Sequence, residues 1–452
     1  MQYKERIFSP GNSLLLLLYL LLVFVGLVAI ISVEHKPDMD FWENLFAFKT
    51  NYSRQFYFIM ASLAVGGFIL LTDAKFFATT ANLLYLVGIL LMLATFVVGK
   101  NVGGSRSWIP LGFMNLQPAE TCKIFVALAL AKFISSPETD FRKVKNHTIA
   151  VALALLPAVL SILQNETGLA LVYFAFFIPL FREGLPPVYL IVGASAAIMV
   201  VLSVLVEPNL LATILTIIAL AAAFFLRKKI QRNRSLLALI FIVWGICVGI
   251  QRFAVPFMFE KVMQPYQVER IMSMFGRDYV PRSEEAAAKL EMQKKRMGKI
   301  SKTGEKQENY NVKQSKIAIG SGGFAGKGFL QGAVTQGDFV PEQHTDFIFT
   351  AIGESFGFLG TVFVVLLYLG LLILIIELAE QQRSTFSRIY GYGVASVIFF
   401  HMSVNVLMTI GLAPIIGIPL PFISYGGSSL LSFSVLIFIF MRLNASKNAI
   451  IR

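Results

Sequence analysis

The chain has 452 residues, of which 56% are hydrophobic and 14% charged, with a mean hydropathy of +0.71; soluble globular domains carry about 25% charged residues, so the composition excludes an ordinary soluble domain and reads as a polytopic membrane protein. The formal net charge of +13 does not point to nucleic acid, because Lys and Arg sit mainly in short loops between apolar runs, where orientation and anionic lipid headgroups account for them. The two cysteines, Cys122 and Cys247, lie in apolar segments and supply neither a disulfide framework nor a CxxC metal site.

The first apolar run, Leu14 to Val33, follows Lys4 and Arg6. It is long enough to span and is followed by no A-x-A-like site, so it is expected to be an uncleaved helix. Further runs of spanning or near-spanning length fall at about 55–72, 78–98, 119–135, 148–164, 168–181, 187–206, 210–226, 235–252, 346–376, 388–409 and 425–442. The expected fold is therefore all-α, a polytopic helix bundle of about twelve transmembrane helices, with residues 1–452 forming a single integral membrane domain.

Alternate loops set the orientation. Lys4 and Arg6, Lys75, Arg142 with Lys143 and Lys145, Arg182, the run Arg227 to Arg234, Arg383 with Arg388, and Lys447 with Arg452 fall on one side, expected to be the cytoplasm with both termini in it. The opposite short loops, around Glu166, around Pro208 and from Ala413 to Phe422, carry no Lys or Arg. Residues 251–345 then form a long extracytoplasmic loop; its lysines do not break the rule, since loops beyond about 60 residues translocate largely regardless of charge. Within it, Ser283 to Met297 predicts a short helix, with Ser283 as a cap, Glu285 and Lys289 spaced for an ion pair, and Gly298 as a stop.

Chemistry-bearing residues concentrate at the outer side. Arg106 and Trp108 sit in the Gly- and Pro-broken stretch Gly103 to Gly112, where a guanidinium beside an indole suits a phosphate or sugar phosphate at the headgroup level. Glu120 and Lys123 are three apart on a predicted helix, spaced for an ion pair turned into the bundle, and Glu166 adds a carboxylate at an outer turn; together they are candidates to line a polar cavity. The run Gly320 to Gly328 supplies flexible backbone with available N–H groups and Lys327, but no P-loop pattern. After it, PEQHTDF places His344 and Asp346 at the mouth of a helix, and the spacing of four puts Asp346, Thr350 and Glu354 on roughly one face. The positive helix start favours an ionised Asp346, able to accept a proton or bind a cation. The four histidines are scattered, which argues against zinc. Gly411 to Ser429 mixes three prolines with glycines in an apolar context, and non-helical backbone at that depth is tolerated only against protein or a wet cavity.

Taken in order, GSRSWIPLG, QPAETCK, QNETG, YQVERI (Tyr266 to Ile271), QSKIAIGSGGFAGKG, FVPEQHTDFIF and GIPLPFISYGGSS resemble the SEDS family of polytopic cell-wall enzymes, its elongation branch more than its division branch. The resemblance implies a peptidoglycan glycosyltransferase of the bacterial cytoplasmic membrane that polymerises lipid II, working with a class B penicillin-binding transpeptidase. A lipid II flippase is the alternative reading. By motif position, Asp346 falls on the family's proposed catalytic aspartate and Arg106, Glu120 and Lys123 on functionally important cavity positions. Trp108, Glu166, Arg270, Gln314, Ser315, Lys327, His344 and Ser424, within or beside the same motifs, complete the expected substrate-binding set, with the nascent glycan strand, lipid II and membrane lipids as partners. No cofactor is firmly implied, although a divalent cation, Mg or Mn, is a candidate. The family commonly has ten spanning helices, so residues 210–250 read as an additional hairpin, and the loop between Met274 and Val312 is longer than expected.

Overall fold

The computed structural model describes residues 7–36, 40–102, 105–112, 115–141, 143–259, 268, 272, 307–337, 339–449 and 451. The helix expected at Ser283 to Met297 and the candidate Arg270 lie outside the described residues. The chain divides into two compact units, Met1–Leu185 with Tyr310–Arg452, and Pro186–Asn309.

The larger unit opens with helix α1 (Pro10–Glu34), whose cap Ser9 accepts from the Asn12 N–H and whose first position is proline, where the missing donor costs nothing. A short helix α2 (Phe41–Phe46) leads to α3 (Asn51–Leu71) and α4 (Ala74–Val98), capped by Thr50 and Asp73. The carboxylate of Glu34, at the end of α1, accepts from the N–H groups of Asn51 and Tyr52, closing the positive start of α3. Between α4 and α5 the chain departs from helix. Strands β1 (Lys100–Val102), β2 (Ser105–Pro110) and β3 (Asn115–Leu116) form an antiparallel sheet in the order β1-β2-β3, with Lys100 opposite Trp108 and Ile109 opposite Leu116.

Helices α5 (Pro118–Ser135) and α6 (Val144–Leu163) follow, then α7 (Thr167–Val172) and α8 (Phe177–Arg182) joined by a 3₁₀ turn at Tyr173–Phe176. The smaller unit contains α9 (Pro187–Leu205), α10 (Pro208–Phe225), the basic α11 (Arg227–Arg232), α12 (Ser235–Gly249), a π turn and α13 (Val255–Phe257). Within it α10 and α12 run antiparallel as a hairpin: Gln251 Nε2 donates to Pro208 O at 2.5 Å, and Trp244 Nε1 donates to Thr216 Oγ1 at 3.1 Å. The larger unit resumes with α14 (Gln307–Ser321), α15 (Ala333–Gln336), α16 (Ile348–Glu380), α17 (Thr385–Thr409) and α18 (Gly427–Ala445).

Among the described residues nine helices are long and apolar enough to cross a membrane. Two of the runs expected to span differ for physical reasons: helix α5 carries Glu120, Lys123 and Lys132, and the run near 168–181 is broken by the 3₁₀ turn, while the run expected at 187–206 forms α9 over 19 residues. Helix α18 is the central one: 78% of its span is buried, against 22% for α4. Its inward residues meet α1 and α3, with Tyr19 and Ser434 hydroxyls at 2.9 Å and the ring of Phe438 against Gly66. Asn444 donates to Asn12 and accepts from Gln382 at 2.7 and 2.6 Å, so these three buried amides form one hydrogen-bonded chain.

The apolar run expected as one helix from 346 to 376 is broken. Gly357 has φ 63° and ψ −156°, which splits α16 into an outer piece, Ile348 to Phe356, and a longer piece from Phe358 to Glu380. The glycine run packs into this break: Lys327 and Gly328 N–H donate to Glu354 and Ser355 carbonyls, and Phe358 and Leu359 N–H donate to Gly323 and Phe324 carbonyls, all at 2.9–3.1 Å. The N–H groups expected to be available there are therefore used inside the protein. A Cβ on Gly326 (φ +84°) would lie 2.2 Å from Ser355 O, whereas one on Gly320 meets open space. Gly326→Ala should lower thermal stability in detergent by on the order of 1–3 kcal/mol. Gly320→Ala, in an ordinary helical position, should be neutral or slightly stabilising in the same melting experiment.

Candidate functional site

Asp346 lies in a turn, Pro341 to Phe347, rather than in α16, which begins at Ile348. The face shared with Thr350 and Glu354 is thus not realised. The turn is wound about one carbonyl: Glu342 O accepts from the N–H groups of Thr345, Asp346 and Phe347 at 3.1–3.2 Å. Its own next carbonyls are taken by other elements. Tyr425 N–H donates to His344 O at 2.8 Å, Ser424 Oγ donates to Thr345 O at 2.6 Å, and Asn405 Nδ2 donates to Asp346 O at 2.8 Å. The His344 ring also meets the Tyr425 ring edge-on at 5.7 Å. The Asp346 backbone is held on three successive residues while its side chain stays half-buried.

Ser424 and Tyr425 belong to the non-helical segment between α17 and α18, and Asn405 to α17 itself. Ser424 accepts from Leu420 N–H at 2.8 Å, Gln55 bonds the Ser424 carbonyl and the Gly426 N–H, and Asn405 donates a second bond to Ile418 O at 2.7 Å. Gly417 (φ +69°) brings this segment against Asp346, since a Cβ there would lie 3.3 Å from Oδ2. One residue earlier, Ile416 O lies 2.3 Å from where a Cβ of Gly168 would stand, so the segment also touches the start of α7. Two residues before Gly168 is Glu166.

Glu166 accepts from the hydroxyls of Ser105 and Ser107 at 2.6 and 2.7 Å, and from Gln117 Nε2 at 3.4 Å. Alternation along β2 then turns Arg106 and Trp108 to the opposite face, where Arg106 is exposed and Trp108 partly so. Glu166 accordingly fixes the strand that presents Arg106, and its recorded hydrogen bonds go to the strand and to Gln117. A continuous series of packed loops links Arg106, Glu166, Gly417 and Asp346.

Lys123 is placed elsewhere. Its ammonium lies 2.5 Å from Glu120 Oε2, 2.9 Å from His401 Nε2 and 4.4 Å from the centre of the Phe433 ring. The two charged side chains are 0% and 2% exposed, so the expected cavity lining is sealed inside the bundle. An ammonium only donates, so His401 Nε2 accepts and its proton sits on Nδ1, which faces Pro419 O at 3.2 Å. Lys327 pairs with Glu354 at 2.7 Å, and Glu354 also takes the N–H groups of Val334 and Thr335 and the Thr335 hydroxyl. Ser315 is buried between Thr350 Oγ1 (2.6 Å) and Thr409 O (2.8 Å), with Gln314 half-buried beside it on α14. Among the described residues, no group of three or more His, Cys, Asp or Glu could hold a metal ion. Sequence reasoning missed Asn405 and gave His401 no role. Their signal was present, as two polar positions four apart on one apolar helix.

A membrane helix bundle with a carboxylate held at the edge of a non-helical segment between two of its helices defines a class of integral membrane protein. The chain belongs to the FtsW/RodA/SpoVE family of cell cycle proteins, whose model matches residues 12–234 and 182–449. It is 29% identical over 352 residues to the peptidoglycan glycosyltransferase MrdB of Escherichia coli (strain K12), covering 78% of this chain and 74% of that protein. It is 28% identical over 462 residues to the peptidoglycan glycosyltransferase RodA of Treponema pallidum, covering 97% and 98%. In fold it matches a chain of a peptidoglycan synthase complex solved to describe the structural coordination of polymerization and crosslinking, with TM-score 0.62 and 24% identity over 96% of this chain and 97% of that one. The rod shape determining protein RodA of Thermus thermophilus matches with TM-score 0.59 and 21% identity over 96% and 97%.

The sealed Glu120–Lys123 pair carries a stability test. Lys123→Met leaves Glu120 buried without its cation and should cost roughly 3–5 kcal/mol, whereas the double variant with Glu120→Gln should recover most of that loss. Thermal melts of the single and double variants in one detergent measure the difference.

Proposed function

We propose that the chain is a peptidoglycan glycosyltransferase that polymerises lipid II into glycan strands during cell-wall elongation, with Asp346 as general base. The observation that carries this reading is the turn at His344 to Asp346, fixed through three backbone carbonyls so that one carboxylate is held in place beside an outer loop. Membership of the family and the activity in its relatives' names support it.

The GlcNAc hydroxyl of one lipid II attacks the anomeric carbon of the growing chain. Its proton passes to the Asp346 carboxylate as the new C–O bond forms, and the bond from the anomeric carbon to undecaprenyl pyrophosphate breaks with inversion. General base catalysis of this kind contributes about 10²–10⁴-fold, and the hold on two lipid-tethered substrates supplies the orientation term. Arg106, exposed on the outward face of β2, is the cation assigned to the departing pyrophosphate. A divalent cation would add to that charge, and it would be held largely by the substrate's own phosphates, as Mg²⁺ commonly is. Trp108, His344, Ser424 and the neighbouring motif residues then shape the groove around the sugar chain. In this reading both termini are cytoplasmic, the site faces outward from the bacterial cytoplasmic membrane, and a class B penicillin-binding transpeptidase crosslinks the product.

Asp346→Asn keeps the size of the side chain and removes the proton acceptor. In purified protein with its transpeptidase partner present, it should reduce lipid II polymerisation on a gel assay by at least about 10²-fold. Polymer formed at the normal rate would overturn the assignment. Because substrate in detergent is already accessible, a protein that only translocated lipid II would form no polymer in either version.

A further inference from the structure

The hydrogen bond to the carbonyl of Asp346 itself comes from helix α17, 59 residues away in sequence. Asn405 is fully buried, and its Nδ2 donates to Asp346 O at 2.8 Å and to Ile418 O at 2.7 Å. Both neighbours are carbonyls, which only accept, so the orientation of the amide is settled by its surroundings. Its Oδ1 is buried with no hydrogen-bond partner among the described residues, so the side chain acts through its two N–H groups. One helical turn earlier, His401 Nδ1 faces Pro419 O at 3.2 Å. Two residues on one face of α17 thus hold the adjacent carbonyls of Ile418 and Pro419, and one of them also holds Asp346.

We infer that Asn405 is the positioning residue of the reaction: it joins the backbone of Asp346 to the Ile418–Pro419 segment and so sets where the carboxylate stands. The inference rests on the reading of Asp346 as general base. Asn405 is 0% exposed, and its hydrogen bonds among the described residues go to two backbone carbonyls, so its loss acts on the rate of the chemical step rather than on substrate affinity. One buried and one part-buried carbonyl left without donors let the turn and the segment separate, and a displacement of about 1 Å at a reacting group can cost 10²-fold in rate.

The experiment compares the full-length protein with Asn405→Leu, Asn405→Ala and Asp346→Asn, each purified with the transpeptidase partner and checked for folding by thermal melt. Leucine keeps the volume without donors, and alanine leaves room for a water to take the two carbonyls if leucine does not fold. The expected result is a fall in kcat on the order of 10²-fold, with KM for lipid II within about twofold of the unsubstituted protein. Asp346→Asn is inactive in the same series. If Asp346→Asn is inactive while a folded Asn405 variant keeps its kcat, the positioning role is overturned and the catalytic assignment stands. If KM rises while kcat holds, Asn405 contacts substrate and the inference is also overturned. If Asp346→Asn retains full activity, the functional reading falls and the inference falls with it.

Discussion

The irregular segments of this protein depend on the need of backbone carbonyls for donors in a low-dielectric bundle. Between α17 and α18 the chain runs without helix from about Gly411 to Gly426, so its peptide groups cannot satisfy one another in a regular ladder. They are satisfied by side chains brought from elsewhere: Asn405 and His401 from α17, Gln55 from α3 and Tyr368 from α16. The same segment returns the service, since Ser424 and Tyr425 hold the turn that carries Asp346. Remove the irregular segment and the candidate base has no fixed position.

The buried charges answer a different constraint. Glu120 and Lys123 are too deep to be solvated and pair with each other, and the ammonium also meets the neutral His401 and the face of the Phe433 ring. Their link to the outer loops passes through Pro419 O, next to the carbonyl held by Asn405. Glu166 completes the frame on the other side by fixing β2 beneath Arg106.

Much of this was legible in the sequence. The apolar runs gave the helices because a spanning segment needs a long stretch of hydrocarbon-soluble residues, and Glu120 with Lys123 were paired correctly from their spacing alone. Motif identity, rather than local chemistry, singled out Asp346. What could not be read were events set by tertiary contact. The break at Gly357 sits within a run that looks uniformly helical, and the glycine run before it reads as flexible backbone with available N–H groups although those of Lys327 and Gly328 go to α16. Lys327 looked free for substrate because Glu354, its partner, is 27 residues away in sequence. Asn405 carried a readable signal, a polar residue in an apolar helix, but nothing local tells which carbonyls it serves.

The break at Gly357 has a mechanical consequence. Helices that span a bilayer tilt and shift to match its thickness. In α16 the glycine loop holds both sides of the break: Lys327 and Gly328 N–H bond the Glu354 and Ser355 carbonyls before Gly357, and Phe358 and Leu359 N–H bond the Gly323 and Phe324 carbonyls after it. The helix changes direction at Gly357 while the peptide groups on both sides of the break keep partners in one loop. The backbone of the Asp346 turn is likewise held by neighbouring segments, so its position is referenced to the protein rather than to the lipid.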